Sequence, residues 1–294
     1  MTRSLQPLRY FFATVFLLLT FSSAFGWGLK GHEITSQAAI DKAPIGDQGF
    51  PSFFKSGENA AWIVYLSMEP DRWTGSVEAE LKAGESSNHF LDFELLNGME
   101  TPKDRLAAIA RYGANGYKPD QVGYLPYTIL ETFEKLKIAF REYRNAQKNG
   151  QTTLPAERDS TYYAGILGHY VADGAQPLHL TLKYDAWKGE NPNGYRTEKG
   201  LHAKFETAFV DNFVTPAPVQ ADVAAPRLLD DPPKAVDDFL RDTFSLVETV
   251  YQLEKRGELD KPSEDTKTFV AKRLAVGSQM LLDLWWTAWK KSEP

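Results

Sequence analysis

The sequence predicts an all-α protein, a single-domain bundle of many helices. Three observations carry that prediction. Apolar residues recur every three or four positions through most of the chain, the period of an amphipathic helix. No alternating apolar and polar run is long enough to make a useful strand, and there is neither a repeat nor a heptad array. With 294 residues, 43% hydrophobic and 13% aromatic, the chain can bury one sizeable core.

In chain order, residues 31–40 read as a first helix, and 59–67 and 76–82 as two short ones. Residues 102–112 follow Thr101, a plausible N-cap with Pro102 at the first helical position. Residues 125–148 make a long helix that Asn149-Gly150 ends. Residues 161–175 follow, then an irregular stretch over 177–200, then a helix over 201–213. Residues 234–255 place Val236, Phe239, Leu240, Phe244, Val247, Val250 and Tyr251 on one face. Residues 264–290 form the last long helix, with Ser263 as its cap, and Trp285, Trp286 and Trp289 belong to its core face. The proline-rich stretch 215–233 reads as a surface loop within one domain. The two helices after it are too few to build a separate core.

Charge and composition exclude several classes. The formal net charge of −6 gives no basic footprint for nucleic acid, so a module that neutralises phosphates with Lys and Arg is disfavoured. An enzyme that meets phosphates with bound metal remains open, because metal charge is not in that count. Cysteine is absent, which removes disulfides, iron–sulfur clusters, thiol nucleophiles and thiolate zinc fingers.

Residues 1–26 read as a signal peptide: Arg3 and Arg9, then an apolar run over 10–21 too short to span a bilayer, then Ala24 and Gly26 at the −3 and −1 positions. Cleavage after Gly26 would leave Trp27 as the new N-terminus of one domain, 27–294. The expected location is secreted or periplasmic.

Histidine carries the chemistry. There are five: His32, His89, His169, His179 and His202. His169 and Asp173 are i, i+4 on a helix and project from one face, as are His202 and Glu206. His179 follows just past the end of the first of these helices, in Asp173-Gly174-Ala175-Gln176-Pro177-Leu178-His179. A lone histidine is usually a surface or satisfied core residue. Two such pairs, three further histidines and no cysteine point instead to a metal site of nitrogen and oxygen donors, with zinc favoured.

In order along the chain stand Trp27-Gly28, Gly31-His32, Asp71, His89-Phe90-Leu91-Asp92, His169 with Asp173, Gln176-Pro177-Leu178-His179, and His202 with Glu206. This pattern resembles the zinc-dependent single-strand nuclease (S-one/P-one type) and bacterial phospholipase C superfamily. The resemblance covers 27–206; the segment beyond carries none of its motifs. It implies a cleft holding three Zn2+. Asp71, His89, His169 and Asp173 would hold the first, and His179, His202 and Glu206 the second. The third would take the amino nitrogen and carbonyl oxygen of Trp27, His32, and Asp173 as a bridge.

The implied activity is phosphodiester hydrolysis by a hydroxide shared between two zinc ions, releasing 5′-phosphates from single-stranded DNA or RNA, with 3′-nucleotidase activity as a possible accompaniment. Asp71 and Asp173 would then be catalytic as well as ligating, and Glu94 would orient the attacking water. Phe90 would stack on a base and Asp92 would bind its edge. The spacing from Trp27 to His32 and the gap from His179 to His202 are nuclease-like. Glu206, where the nucleases usually have Asp, is phospholipase-like, so a phospholipase C acting on phospholipid is the alternative, and a non-catalytic zinc-binding protein a remote one. Tyr184, Trp187 and Tyr195 either line a substrate groove or pack the loop. A monomer without a stable protein partner is expected.

The terminal ligand generates a prediction. An amide nitrogen is a poor ligand because its lone pair is delocalised into the carbonyl. Protein beginning at Trp27 should therefore hold one zinc ion more tightly than protein carrying one uncleavable extra glycine. Zinc content by elemental analysis decides this, and equal content in the two forms would refute ligation by the terminal amine.

Overall fold

The structure, a computed structural model, describes residues 27–118 and 120–293. The expected signal peptide lies outside the described residues. Helices dominate: α1 (Gly28–Lys42), α2 (Gly57–Leu66), α3 (Glu69–Thr74), α4 (Ala79–Glu85), α5 (Arg105–Ala114), α6 (Leu125–Lys148), α7 (Leu154–Gly174), α8 (Leu201–Ala203), α9 (Phe209–Phe213), α10 (Pro216–Asp222), α11 (Pro232–Phe244), α12 (Val247–Lys255) and α13 (Glu264–Lys290). Among the described residues the extended pairing is a single bridge, Ile45 to Phe50. The expected all-α, single-domain bundle is what the chain forms. No described helix is long and apolar enough to cross a membrane.

α7 is the axis of the bundle. Every residue from Ala164 to Gly174 is buried, so this C-terminal half of the helix has no solvent face. It packs against α6, α2, α13 and α1. Small residues admit these neighbours. A Cβ at Gly165 would lie 2.5 Å from Leu66 Cβ and 2.8 Å from Ile63 O of α2. At Gly168 it would lie 2.9 Å from Ser36 Oγ of α1. The approach of α2 and α1 thus rests on absent side chains, and it brings the next turns of α7 to the centre of the molecule.

The boundaries of α6 and α13 agree with the sequence reading, as does the Ser263 cap, whose hydroxyl accepts from Thr266 N–H. The three tryptophans pack in the core: Trp285 is fully buried and donates to Ala164 O, Trp289 donates to Gly49 O, and Trp286 is partly buried.

Elsewhere the structure corrects the reading. α1 begins at Gly28 rather than 31, and α7 begins at Leu154 rather than 161, because its first two turns are mostly exposed and carry little apolar periodicity. α3 was not foreseen. The fifth helix is capped by Asp104, which accepts from Ala107 N–H, while Thr101 bonds Asp237 instead. The expected helix 234–255 is two helices. Ser245 Oγ bonds the Asp242 carbonyl at the break, a side-chain competitor for the helical ladder. The proline-rich segment contains α10, with Pro216 in its first turn, where a missing N–H costs nothing. Its remainder is strapped to α13 by Arg227, which donates to Asp283 through Nε (2.9 Å) and Nη2 (2.7 Å).

Gly165→Leu should force α2 away from α7. A loss of roughly 1–3 kcal/mol is the usual cost of overpacking, to be read from urea unfolding. An unchanged midpoint would mean that the close approach is not needed.

Candidate metal centre

Seven separate elements deliver the functional side chains. α1 supplies His32, α3 supplies Asp71, the turn after α4 supplies His89, and α7 supplies His169 and Asp173. The 3-10 turn Pro177–Leu180 supplies His179. α8 supplies His202, and the π turn Lys204–Ala208 that follows it supplies Glu206. These eight side chains are buried, none more than 7% exposed.

They form three groups, each able to hold a metal ion: His32, His169 and Asp173; Asp71, His89 and His169; His179, His202 and Glu206. Asp173 faces two ways. Its Oδ2 lies 3.1 Å from His89 Nδ1 and 3.2 Å from His169 Nε2. Its Oδ1 lies 3.5 Å from His32 Nε2. His169 Nε2 is 3.7 Å from Asp71 Oδ1. In the third group His179 Nε2 is 3.1 Å from His202 Nε2 and 3.6 Å from Glu206 Oε2.

The donor set fits metal ions. Ligand bonds of about 2.0–2.1 Å in a tetrahedron put donor atoms about 3.3 Å apart, the scale of these separations. Several donors are buried without a hydrogen-bond partner: both nitrogens of His32, both oxygens of Asp71, Asp173 Oδ1 and Glu206 Oε1. Hydrogen bonds fix two tautomers. His169 Nδ1 donates to Ser67 O (2.8 Å) and His179 Nδ1 donates to His89 O (2.7 Å), so in the neutral ring each Nε2 presents a lone pair to its group.

The same crowding sets the protonation of the bare cluster. Burial and the neighbouring His169 push His32 well below its ordinary value, and burial takes His202 down to about 4. Burial pushes Asp71 up and Glu206 well up. Burial also opposes charge on His169, but Asp173 and Asp71 outweigh it and carry the imidazole up to about 9. Asp173 is the converse: burial works against the carboxylate, and His169 and His179 hold it well below the usual range. Cations would give every carboxylate its counter-charge and every neutral imidazole a partner.

His89, His179 and His202 open onto a cavity of about 380 Å³, walled also by Phe90, Asp92, Leu178, Tyr184 and Lys82. That is the size of a small-ligand site. The main chain holds this wall in place. Leu91 N–H donates to His179 O (3.0 Å), Asp92 N–H to Val122 O (2.8 Å) and Leu125 N–H to Phe90 O (3.2 Å). Gly123, at φ +92°, lies so close that a Cβ would sit 2.0 Å from Phe90 O, so only glycine fits there.

The structure thus brings together the expected His32, Asp71, His89, His169, Asp173, His179, His202 and Glu206, with Phe90 and Asp92 on the adjoining cavity wall. Trp27 lies buried at the start of α1, its ring 5.5 Å from Phe205 and its carbonyl accepting from Gly31 N–H at 3.2 Å. In the uncut chain its nitrogen is an amide. Glu94 stands apart from the cavity lining. Its carboxylate accepts from Thr181 Oγ1 and from Leu182 N–H (3.2 Å), with Lys183 Nζ at 3.6 Å. Tyr184 lines the cavity, whereas Trp187 and Tyr195 pack against Tyr251.

Three contributors were given no role in the reading of the sequence. Glu85 accepts from Tyr170 OH and lies 3.9 Å from His89 Nε2; its place four residues before His89 was the available signal. Gln176 donates to Glu206. Ser67 acts through its carbonyl, which no side-chain pattern reveals. Compared with known proteins, the chain matches no family model and no curated protein.

Burial, then the charge of Glu94, pushes Asp92 up to about 7 despite Lys188. An acid raised in the folded state is penalised as it ionises. The penalty is absent below the ordinary value near 3.8 and complete above 7. Asp92→Asn should therefore stabilise the chelator-treated protein at pH 8, by at most ~4 kcal/mol, with the gain shrinking toward pH 4. Urea midpoints at the two pH values check this, and an equal gain at both would disprove the ionisation argument.

Proposed function

We propose that this protein is a zinc-dependent phosphodiesterase, acting on single-stranded nucleic acid. The observation that carries the reading is the continuity of the centre: of three buried donor groups, two share His169, and His89, His179 and His202 open onto one cavity whose wall includes Phe90 and Asp92. Imidazole and carboxylate donors without sulfur suit zinc. Bound metal would supply Lewis-acid stabilisation of phosphoryl charge and an activated water.

The chain's own residues set the rest. Asp173 faces His32 with one oxygen and His89 and His169 with the other, which fixes the spacing of two groups. Ser67 and the carbonyl of His89 hold two imidazoles in the ligating tautomer. Phe90 is half-buried on the cavity wall and offers a stacking surface that tolerates any base. The buried Asp92 carboxylate beside it offers acceptors to the edge of a base. The cation charge in the centre would draw a phosphodiester to a protein that is acidic overall. The apolar share of that wall, Phe90, Leu178 and Tyr184, also suits a lipid chain, which keeps phospholipase C as the second reading.

The test is metal analysis beside a three-substrate assay. The processed protein should bind close to three zinc ions, lose activity on chelation, and cut single-stranded DNA and RNA far faster than duplex. Asp173→Asn should remove the most metal of any single change. Phe90→Ala should weaken single-strand binding by roughly 1–3 kcal/mol, the worth of one base–aromatic stack. Rapid cleavage of phosphatidylcholine with single strands left intact would assign the site to phospholipid, and active protein without zinc would sink the metal reading.

A further inference from the structure

Gln176 is completely buried between the end of α7 and the turn that carries His179. Its side-chain oxygen accepts from Leu178 N–H at 2.5 Å. Since Leu178 N–H can only donate, this bond fixes which end of the amide is oxygen. The nitrogen must therefore face the other way. There Nε2 donates to Glu206 Oε2 at 3.1 Å and stands 3.5 Å from His202 Nε2. One planar amide thus joins the turn bearing His179 to the carboxylate of the same metal group, beside its third member.

Glu206 needs such a tether. It sits on the π turn, its Oε1 has no hydrogen-bond partner, and it is only 1% exposed, so bulk water does not orient it. Gln176 is neutral. It adds no charge to the group and competes for no cation, yet it directs one carboxylate oxygen.

We propose that Gln176 is a positioning residue for the cation held by His179, His202 and Glu206: its Nε2 orients Glu206 while its Oε1 sets the turn that carries His179. This rests on the metal-centre reading above.

Two variants separate the halves of the amide. Gln176→Glu keeps an acceptor for Leu178 N–H but turns a carboxylate, not a donor, toward Glu206. Gln176→Met removes both bonds at similar length. Zinc content and competition titration with a chelator are measured on the processed wild type and on both variants. The absorption spectrum of the cobalt(II)-loaded forms reports ligand geometry, and the melting temperature of the metal-free forms reports folding.

The expected result is three ions in the wild type, with both variants holding one of the three roughly 10–100-fold more weakly, the usual loss when a residue supporting a metal ligand is removed. The cobalt spectrum should change, and the other two ions should stay bound. Three outcomes overturn the proposal: wild-type affinity and spectrum in both variants; loss confined to Gln176→Met, which would reduce the amide to a turn cap; or loss of all three ions together, which would make it a general support of the fold. A wild type that binds no zinc defeats the metal reading itself, and is told apart because it shows in the unmutated protein.

Discussion

Ionisable groups are rarely buried without partners, and here eight of them meet in the middle of a helical bundle. That constraint organises the rest. The Asp173 carboxylate, fully buried on the central helix, touches three of the five imidazoles within 3.5 Å. To bring those imidazoles there, α1 and the turn after α4 must converge on one short stretch of α7, where α3 also delivers Asp71. Gly168 admits α1, and Gly165 admits α2, which leads into α3. Removing any one partner would leave charge in a place with no water to receive it. Metal ions would complete the balance, because they replace lost hydration with bonds.

The outer parts of the site have a different logic. The carbonyls of Ser67 and His89 are ordinary main-chain groups, yet they set which nitrogen of His169 and His179 carries a proton. The loop that bears Phe90 is stitched by main-chain bonds to the His179 turn on one side and to 122–125 on the other. Ligand geometry and cavity shape are therefore set by the same backbone contacts. A disturbance at Gly123 would reach the donor group of His179 as well as the cavity wall.

Much of this was legible in the sequence, for reasons that differ by residue. The i, i+4 pairs His169/Asp173 and His202/Glu206 were readable because a helix turns spacing into direction. α6 and α13 were readable because their caps and apolar stripes are strong. α3 was not, since six residues are too few to show a period, though it delivers Asp71. The break at Ser245 was hidden because the apolar stripe runs through it unbroken, and a side-chain bond to one carbonyl leaves no periodic trace. The helix α10 was masked by its prolines, which read as loop signals but sit where a helix tolerates them. Gln176 was visible as a letter in a motif but not as a function, because its role depends on which end of an amide faces Glu206.

The packing of the first helix against the last has a temporal meaning. α1 carries His32, and its largest interface is with α13, which follows every donor residue in the sequence. During synthesis the first helix emerges long before its partner does. His32 can reach Asp173 on α7, but α13, which keeps α1 seated there, is made after every donor residue. The donor residues are thus scattered along the nascent polypeptide, and α13 would have to dock before α1 is held at its final distance. Capture of any cation by the His32 group would then have to wait for α13, and a chain cut before it would carry the donors without their assembled arrangement.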